Sequence, residues 1–179
     1  EAVVYASNKI RLGQVDVAIA GGVDSASDAP LVTSEGMRKA MLALSRQRAS
    51  QGLYPAVDPL ASDSKLLTPA VVGDRHYRIA QAVRRTLAEY EELKDIIAML
   101  GLEELSPGDR ATVYRARRLE RYLTQPFFTT EHFTGRAGVS VPLGQTLDDC
   151  ERLLNDDCAD WPESALYMIG RLDEARPCV

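Results

Sequence analysis

The spacing of apolar positions changes abruptly near residue 71. From there Val72, His76, Ile79, Val83, Leu87, Tyr90 and Ile97 recur at intervals of three, four or seven, the stripe of an amphipathic helix that Gly101 closes. Ser106-Pro107-Gly108-Asp109 then predicts a fresh start, with Ser as N-cap, Pro in the first turn and Asp at the capping-box position. Val113, Ala116, Leu119 and Leu123 supply the buried side of this second helix up to Pro126. Arg115, Arg117, Arg118 and Arg121 lie off that side, where a solvated face is expected. A third helix around 144–155 uses Leu147, Cys150, Leu153 and Leu154, and a short one follows Pro162.

Upstream the rhythm differs. Residues 1–12 place Val3, Val4, Ala6 and Ile10 along one side of a helix, with Gly13 as the stop. Residues 15–20, VDVAIA, read as a buried strand, Gly21-Gly22 ends it, and a small-residue loop leads to Pro30. A helix is expected over 34–48. Residues 52–70 carry three prolines and almost no periodicity, which reads as an ordered loop or linker. The expected fold is mainly α: a helical bundle over 71–179, a loop segment over 45–70, and a short incomplete α/β piece over 1–44.

Composition narrows the function. The chain has 179 residues, 45% hydrophobic and 26% charged, with net charge −5, which suits a modest globular domain and argues against a nucleic-acid binder. No apolar run approaches the ~20 residues needed to cross a bilayer, and no basic-then-apolar leader precedes the first helix. The opening residue Glu1 suggests a piece of a longer reading frame. Cys150, Cys158 and Cys178, with His76 and His132 far apart, form neither a disulfide framework nor a zinc pattern, so reduced cysteines in an intracellular compartment are expected.

The loop Gly21-Gly22-Val23-Asp24-Ser25 has neither G-x-G-x-x-G nor G-x-x-x-x-G-K-[ST], so no phosphate cradle follows from it. Its surroundings, EAVVYASNKIRLGQVDVAIAGGVDSASDAP, resemble thiolases, the acyl-CoA acyltransferases, over residues 1 to about 43. The thiolase nucleophile and the G-H-P and C-x-G motifs have no counterpart in these 179 residues, so no catalytic residue carries over.

GLYPAVDPLASDSKLL, VVGDRHYRIAQAVRRTLAEYEELKDIIAMLG, EELSPGDRATVYRARRLERYLTQPF, HFTG, VPLGQTL and WPESALYMIG follow one another from about Ser45 to the end. In order and spacing they resemble the catalytic beta subunit of rotary, F-type ATP synthases. As bare chemistry, Tyr54, Phe127, Phe128 and Phe133 are either hydrophobic core or a stacking box for a purine. The resemblance implies the second: an adenine pocket for ATP or ADP at Tyr54, Phe127, Thr130 and Phe133, with Thr130 replacing the usual Ala. Phe128 is then expected to point away or into the bundle. Glu103, Glu104, Leu105, Ser106 and Asp109 match the acidic loop that in this family leans on the central rotor stalk, with Pro107 and Gly108 replacing two acids.

The resemblance further implies alpha subunits and the central gamma subunit as partners, and a peripheral place on the cytoplasmic side of an energy-transducing membrane. Magnesium accompanies the nucleotide in the family, but its ligands and the phosphate loop have no match in this sequence. No catalysis by the chain alone is therefore expected. Two other readings stand beside this one: a thiolase-related acyltransferase fragment, and a purely structural helical domain.

Overall fold

A computed structural model of the protein describes residues 40–175, all within one compact unit that spans Glu35–Val179. The helix, strand and loop expected between residues 1 and 30 lie outside the described residues. Strand β1, Ala40–Met41, pairs antiparallel with β2, Asp63–Ser64, and a single bridge joins Leu44 to Val57. The helix expected over 34–48 is therefore not what residues 40–45 form. Helix α1, Arg46–Ser50, starts only after Ser45, whose hydroxyl accepts the Arg48 amide at 3.3 Å. Ala43 and Ser45 instead exchange backbone hydrogen bonds with Asp58 and Ala56, both 2.8 Å, so the extended pairing satisfies groups a helix would have used internally.

The segment 52–70 is an ordered loop. Leu53 is buried, and the Asp58 carboxylate accepts the amides of Leu60 and Ala61 at 2.9 and 3.0 Å. A short helix α2, Pro69–Val72, follows, and Gly73 separates it from α3, Asp74–Leu100. Gly73 has φ of +85°, a conformation that side chains disfavour. The continuous stripe expected from residue 71 is broken there, and Val72 and His76 end up only half-buried.

From Ile79 on, the periodicity holds. Ile79, Val83, Leu87 and Tyr90 are buried on one side of α3, with Leu93 and Ile97 packed against the same core. Gly101, at φ of +92°, ends the helix. Helix α4, Pro107–Tyr122, begins as expected: the Ser106 hydroxyl accepts the Asp109 amide at 3.1 Å and donates to its carboxylate at 2.7 Å. Val113, Ala116 and Leu119 are fully buried against α3, but the fourth core position is Tyr122, not Leu123, which stays exposed at the helix C-cap. A one-turn helix α5, Glu131–Thr134, interrupts the next loop.

Helix α6, Leu143–Leu154, packs on both α3 and α4 through Cys150 and Leu153, with Leu147 and Leu154 at the margin. Two 3-10 turns, Glu163–Leu166 and Leu172–Glu174, complete the core with the fully buried Leu166 and Leu172. The described part of the protein is mainly helical, as the spacing predicts. On the surface, Arg75 of α3 reaches Asp148 and Glu151 of α6 at 2.6 and 2.7 Å.

The arginines of α4 do not form the solvated face expected of them. Arg115 pairs with Asp156, with Nε–Oδ1 at 3.0 Å, and Arg117 Nε meets the Tyr90 hydroxyl at 3.3 Å. Arg121 lies 5.3 Å from the centroid of the Tyr167 ring. Arg118 donates to the carbonyls of Ala159 and Trp161. The irregular segment after α6 leaves carbonyls with no ladder partner, and Arg118 serves two of them. The same device recurs twice. Arg84 donates to the carbonyls of Leu60 and Ser62, and Arg110 to those of Glu103 and Leu105. In each case one guanidinium serves two carbonyls two residues apart; Arg84 and Arg118 do so with two nitrogens of the fork, Arg110 with a single Nη2.

Candidate functional site

Tyr54 is carried by a loop that the helical bundle holds from several sides. The Arg48 guanidinium meets Glu120 of α4 at 3.0 Å, with both side chains largely out of solvent. The Tyr167 hydroxyl donates to the Gly52 carbonyl at 2.7 Å. The Gln125 amide donates to the Tyr54 carbonyl at 2.8 Å. Gly52 sits at φ of +75°, and a Cβ there would lie 3.5 Å from the Tyr167 hydroxyl, so a residue free to take this turn is needed where the loop meets the bundle. The ring of Tyr54 itself is 45% exposed.

Phe127 follows α4 by five residues and is 38% exposed. Its segment is a closed loop. Val139 N–H meets the Pro126 carbonyl at 3.1 Å, the Gln125 side chain donates to the Val139 carbonyl, and Gly138 N–H meets the Glu131 carboxylate at 2.6 Å. A Cβ on Gly138 would come within 2.3 Å of the Phe128 amide nitrogen, so only glycine allows the strands of this loop to close so tightly. Phe128 is the more exposed ring of the pair and does not enter the bundle. The side chains of Thr130 and Phe133, in the turn Phe128–Thr130 and in α5, lie outside the described part of the structure. Tyr54 and Phe127 are thus linked through Gln125 and present accessible rings.

The acidic turn lies between α3 and α4. Glu103 and Glu104 are exposed and Leu105 is buried. Leu105 anchors the turn in the core. Ser106 and Asp109 are occupied with capping α4. Arg110, which the sequence reading did not single out, fixes the turn by reaching the Glu103 carboxylate at 3.3 Å besides its two carbonyls. Beside the turn, Ile96, Met99 and Leu100 leave an apolar, solvent-facing end on α3.

Among the titratable groups that depart from ordinary behaviour, two thiols and a phenol belong to the core. Burial pushes the Cys150 thiol up to about 12, with Asp149 adding to the effect, and burial likewise raises Cys158. Both thiols are held protonated and unreactive near neutrality. The Tyr122 hydroxyl is also raised, first by burial and then by its hydrogen bond to Asp149. Asp149 is fully buried and accepts from Tyr122, from the Gln145 side chain at 2.9 Å and from the Leu172 amide. A carboxyl group within the apolar stripe of Leu147, Cys150 and Leu153 was the available signal for this network.

Among the described residues no group of three or more His, Cys, Asp or Glu side chains is placed to hold a metal ion. The described residues therefore do not fit the magnesium that the sequence resemblance implies beside a nucleotide. No described helix is long and apolar enough to cross a membrane. Two open clefts, about 140 and 320 Å³, are lined mainly by charged side chains including Arg48, Lys94, Arg117 and Glu120, and neither includes Tyr54 or Phe127.

The described residues thus form a helical bundle with an aromatic-bearing loop strapped to it and an acidic turn between its two long helices. A family model described as the C-terminal domain of V and A type ATP synthase matches residues 67–157, and the chain belongs to that family. It is 64% identical over 152 residues to ATP synthase subunit beta of Acaryochloris marina, covering 85% of this chain and 33% of the relative. It is 62% identical over 154 residues to ATP synthase subunit beta 2 of Nitrosospira multiformis, covering 86% and 33%. Against ATP synthase subunit beta 1 of Marinomonas sp. the figures are 62% over 152 residues, 85% and 31%. The chain spans about a third of the length of these curated relatives. The matched stretches are longer than the run from Ser45 to Val179, so the likeness begins upstream of Ser45.

Proposed function

We propose that this chain does the work of the C-terminal part of an ATP synthase beta subunit, supplying the adenine side of a nucleotide pocket and the turn that meets the rotor. In this reading Tyr54, Phe127, Thr130 and Phe133 receive the adenine of ATP or ADP, as an aromatic wall accepts the flat face of a purine. Glu103 and Glu104, with the apolar end of α3 at Ile96, Met99 and Leu100, face the central stalk subunit. Leu105, Ser106 and Asp109 hold that surface in shape. Alpha and gamma subunits are the partners, and the chain sits at the membrane periphery as part of a complex that couples ATP turnover to proton transport.

One observation carries the adenine reading. The 2.8 Å bond from Gln125 to Tyr54 draws two half-exposed aromatic rings, 73 positions apart in sequence, onto adjoining segments. Exposed rings so placed stack on a ligand or on another protein surface, and the family resemblance selects the nucleotide. Phosphate positioning and magnesium must come from residues beyond these, because phosphoryl transfer depends on them almost entirely. Adenine contacts alone should give affinity no better than ~1 mM.

The test replaces the corresponding part of a beta subunit such as that of Acaryochloris marina with residues 45–179. Each stacking ring contributes about 1–3 kcal/mol, so Tyr54→Ala should weaken ATP binding about tenfold or more in the chimera. An unchanged affinity in a folded Tyr54→Ala chimera would remove the adenine assignment and leave a structural bundle.

A further inference from the structure

Gln125 makes two connections that no other described residue makes together. Its backbone amide donates to the carbonyl of Tyr54 at 2.8 Å. Its side-chain amide donates to the carbonyl of Val139, the residue whose own N–H closes the loop onto Pro126 at 3.1 Å. The first bond ties down the loop that carries Tyr54. The second closes the base of the loop that carries Phe127. Because a carbonyl oxygen only accepts, the group facing Val139 must be a donor, which glutamine supplies and a carboxylate does not.

We infer that Gln125 is a positioning residue that sets the separation between the two walls of an adenine-nucleotide site, the Tyr54 wall and the Phe127 wall. This rests on the adenine reading above. The two bonds divide the labour in a way that substitution can separate. The backbone bonds from Gln125 to Tyr54 and from Val139 to Pro126 survive any side-chain replacement, so a variant at 125 should loosen the Phe127 wall and leave the Tyr54 wall in place. Gln125→Glu keeps the shape and removes the donor. Gln125→Leu keeps most of the volume and removes all polarity.

The rest of the loop explains why its release would be local. Gly138 N–H remains on Glu131 at 2.6 Å, and the close approach of Gly138 to Phe128 is intrinsic to the loop. The bundle core of α3, α4 and α6 does not include Gln125. A variant at this position should therefore change where Phe127 lies without melting the helices.

The experiment uses the full 179-residue chain, isotope-labelled on its aromatic rings and backbone, titrated with ADP at millimolar concentration and read by NMR. In the unaltered chain ADP should shift the ring resonances of both Tyr54 and Phe127. In Gln125→Leu and Gln125→Glu the Tyr54 shift should persist, the Phe127 shift should vanish, and ADP affinity should fall about three- to tenfold, the loss of one hydrogen bond's worth of positioning. The thermal midpoint of the helices should stay close to that of the unaltered chain. Equal loss of both ring shifts together with a lowered midpoint would make Gln125 merely structural and overturn the inference, as would variants that respond to ADP like the original.

An unaltered chain whose rings do not respond to ADP raised to several times ~1 mM, the best affinity adenine contacts alone should give, would sink the adenine reading instead. Amide exchange then decides the positioning role by itself. Faster exchange at Val139 than at Gln125 in Gln125→Leu supports it, and unchanged exchange at both refutes it.

Discussion

The hydroxyl of Tyr122 donates to the carboxyl group of Asp149 at 2.9 Å, joining α4 to α6 inside the core. Asp149 also takes the Leu172 amide at 3.0 Å, so a single buried acid organises two helices and the last turn of the described chain. Removing it leaves a buried phenol and a buried amide without an acceptor. Asp149→Ala is expected to cost about 3 kcal/mol or more, since each orphaned group costs ~1–3 kcal/mol. Asp149→Asn keeps one acceptor oxygen and should cost less. Urea denaturation of the two variants, followed by circular dichroism, provides the comparison.

The acidic turn separates into an anchor and a surface. Leu105 is buried in the core cluster, whereas Glu103 and Glu104 face solvent. Leu105→Ala should therefore destabilise by about 2–5 kcal/mol, the usual range for a buried leucine. Glu103→Ala and Glu104→Ala should stay within about 0.5 kcal/mol. Equal effects at all three positions would show that the turn is not seated as described.

Two glycines are fixed by space rather than by backbone angle. A Cβ at Gly138 would meet the Phe128 amide nitrogen at 2.3 Å, and one at Gly170 would meet a Val139 methyl at 2.4 Å. The first obstacle is backbone and cannot rotate away; the second is a side chain that can. Gly138→Ala should cost about 1–3 kcal/mol, the range for overpacking, and Gly170→Ala less. Chemical denaturation of both proteins gives the ranking, and a neutral Gly138→Ala would contradict the loop closure.

The core thiols and Tyr122 give the protein a stability that fails in alkali. With Cys150 raised to about 12, the unfolded chain releases this proton above pH ~9 while the folded chain keeps it. The unfolded state then binds fewer protons, so stability falls as pH rises, by up to ~1.4 kcal/mol per pH unit for each such group. Cys158 and Tyr122, both raised, act in the same direction, and none of the three contributes a slope below pH ~8. Unfolding measured at pH 8, 9.5 and 10.5 should show the decline, and Cys150→Ala should flatten part of it. A protein equally stable at all three values would refute the assignment.

The three long helices could be read from periodicity because each buries one stripe against the other two. The capping of α4 could be read because Ser106 and Asp109 satisfy each other locally. The choice between Leu123 and Tyr122 could not: both fit a helical stripe ending at Pro126, and only Asp149, 27 residues away, selects the tyrosine. The split at Gly73 depended on a backbone angle that composition does not reveal. The pairing of Ala43 and Ser45 with Asp58 and Ala56 overrode the helical spacing upstream of residue 46 through contacts distant in sequence. Of the candidate site, the aromatic positions were legible as residue types. Gln125, Tyr167 and Arg110, which set their surroundings, were not, because their partners are carbonyl oxygens that carry no signature in the sequence.

Arg84, Arg110 and Arg118 each grip a pair of carbonyls on an irregular segment. A neutral oxygen is no counter-ion, so added salt should scarcely loosen the grips of Arg84 and Arg118, while the Arg110 contact with Glu103 and the exposed Arg75 contacts with Asp148 and Glu151 should weaken. Lysine cannot reproduce the two-nitrogen grip of Arg84 and Arg118, since all its donors sit on one nitrogen. The segments held by Arg84 and Arg118 are consequently less sensitive to ionic strength than to the chemical identity of these two cations, so that Arg→Lys, innocuous on most surfaces, should here loosen a loop.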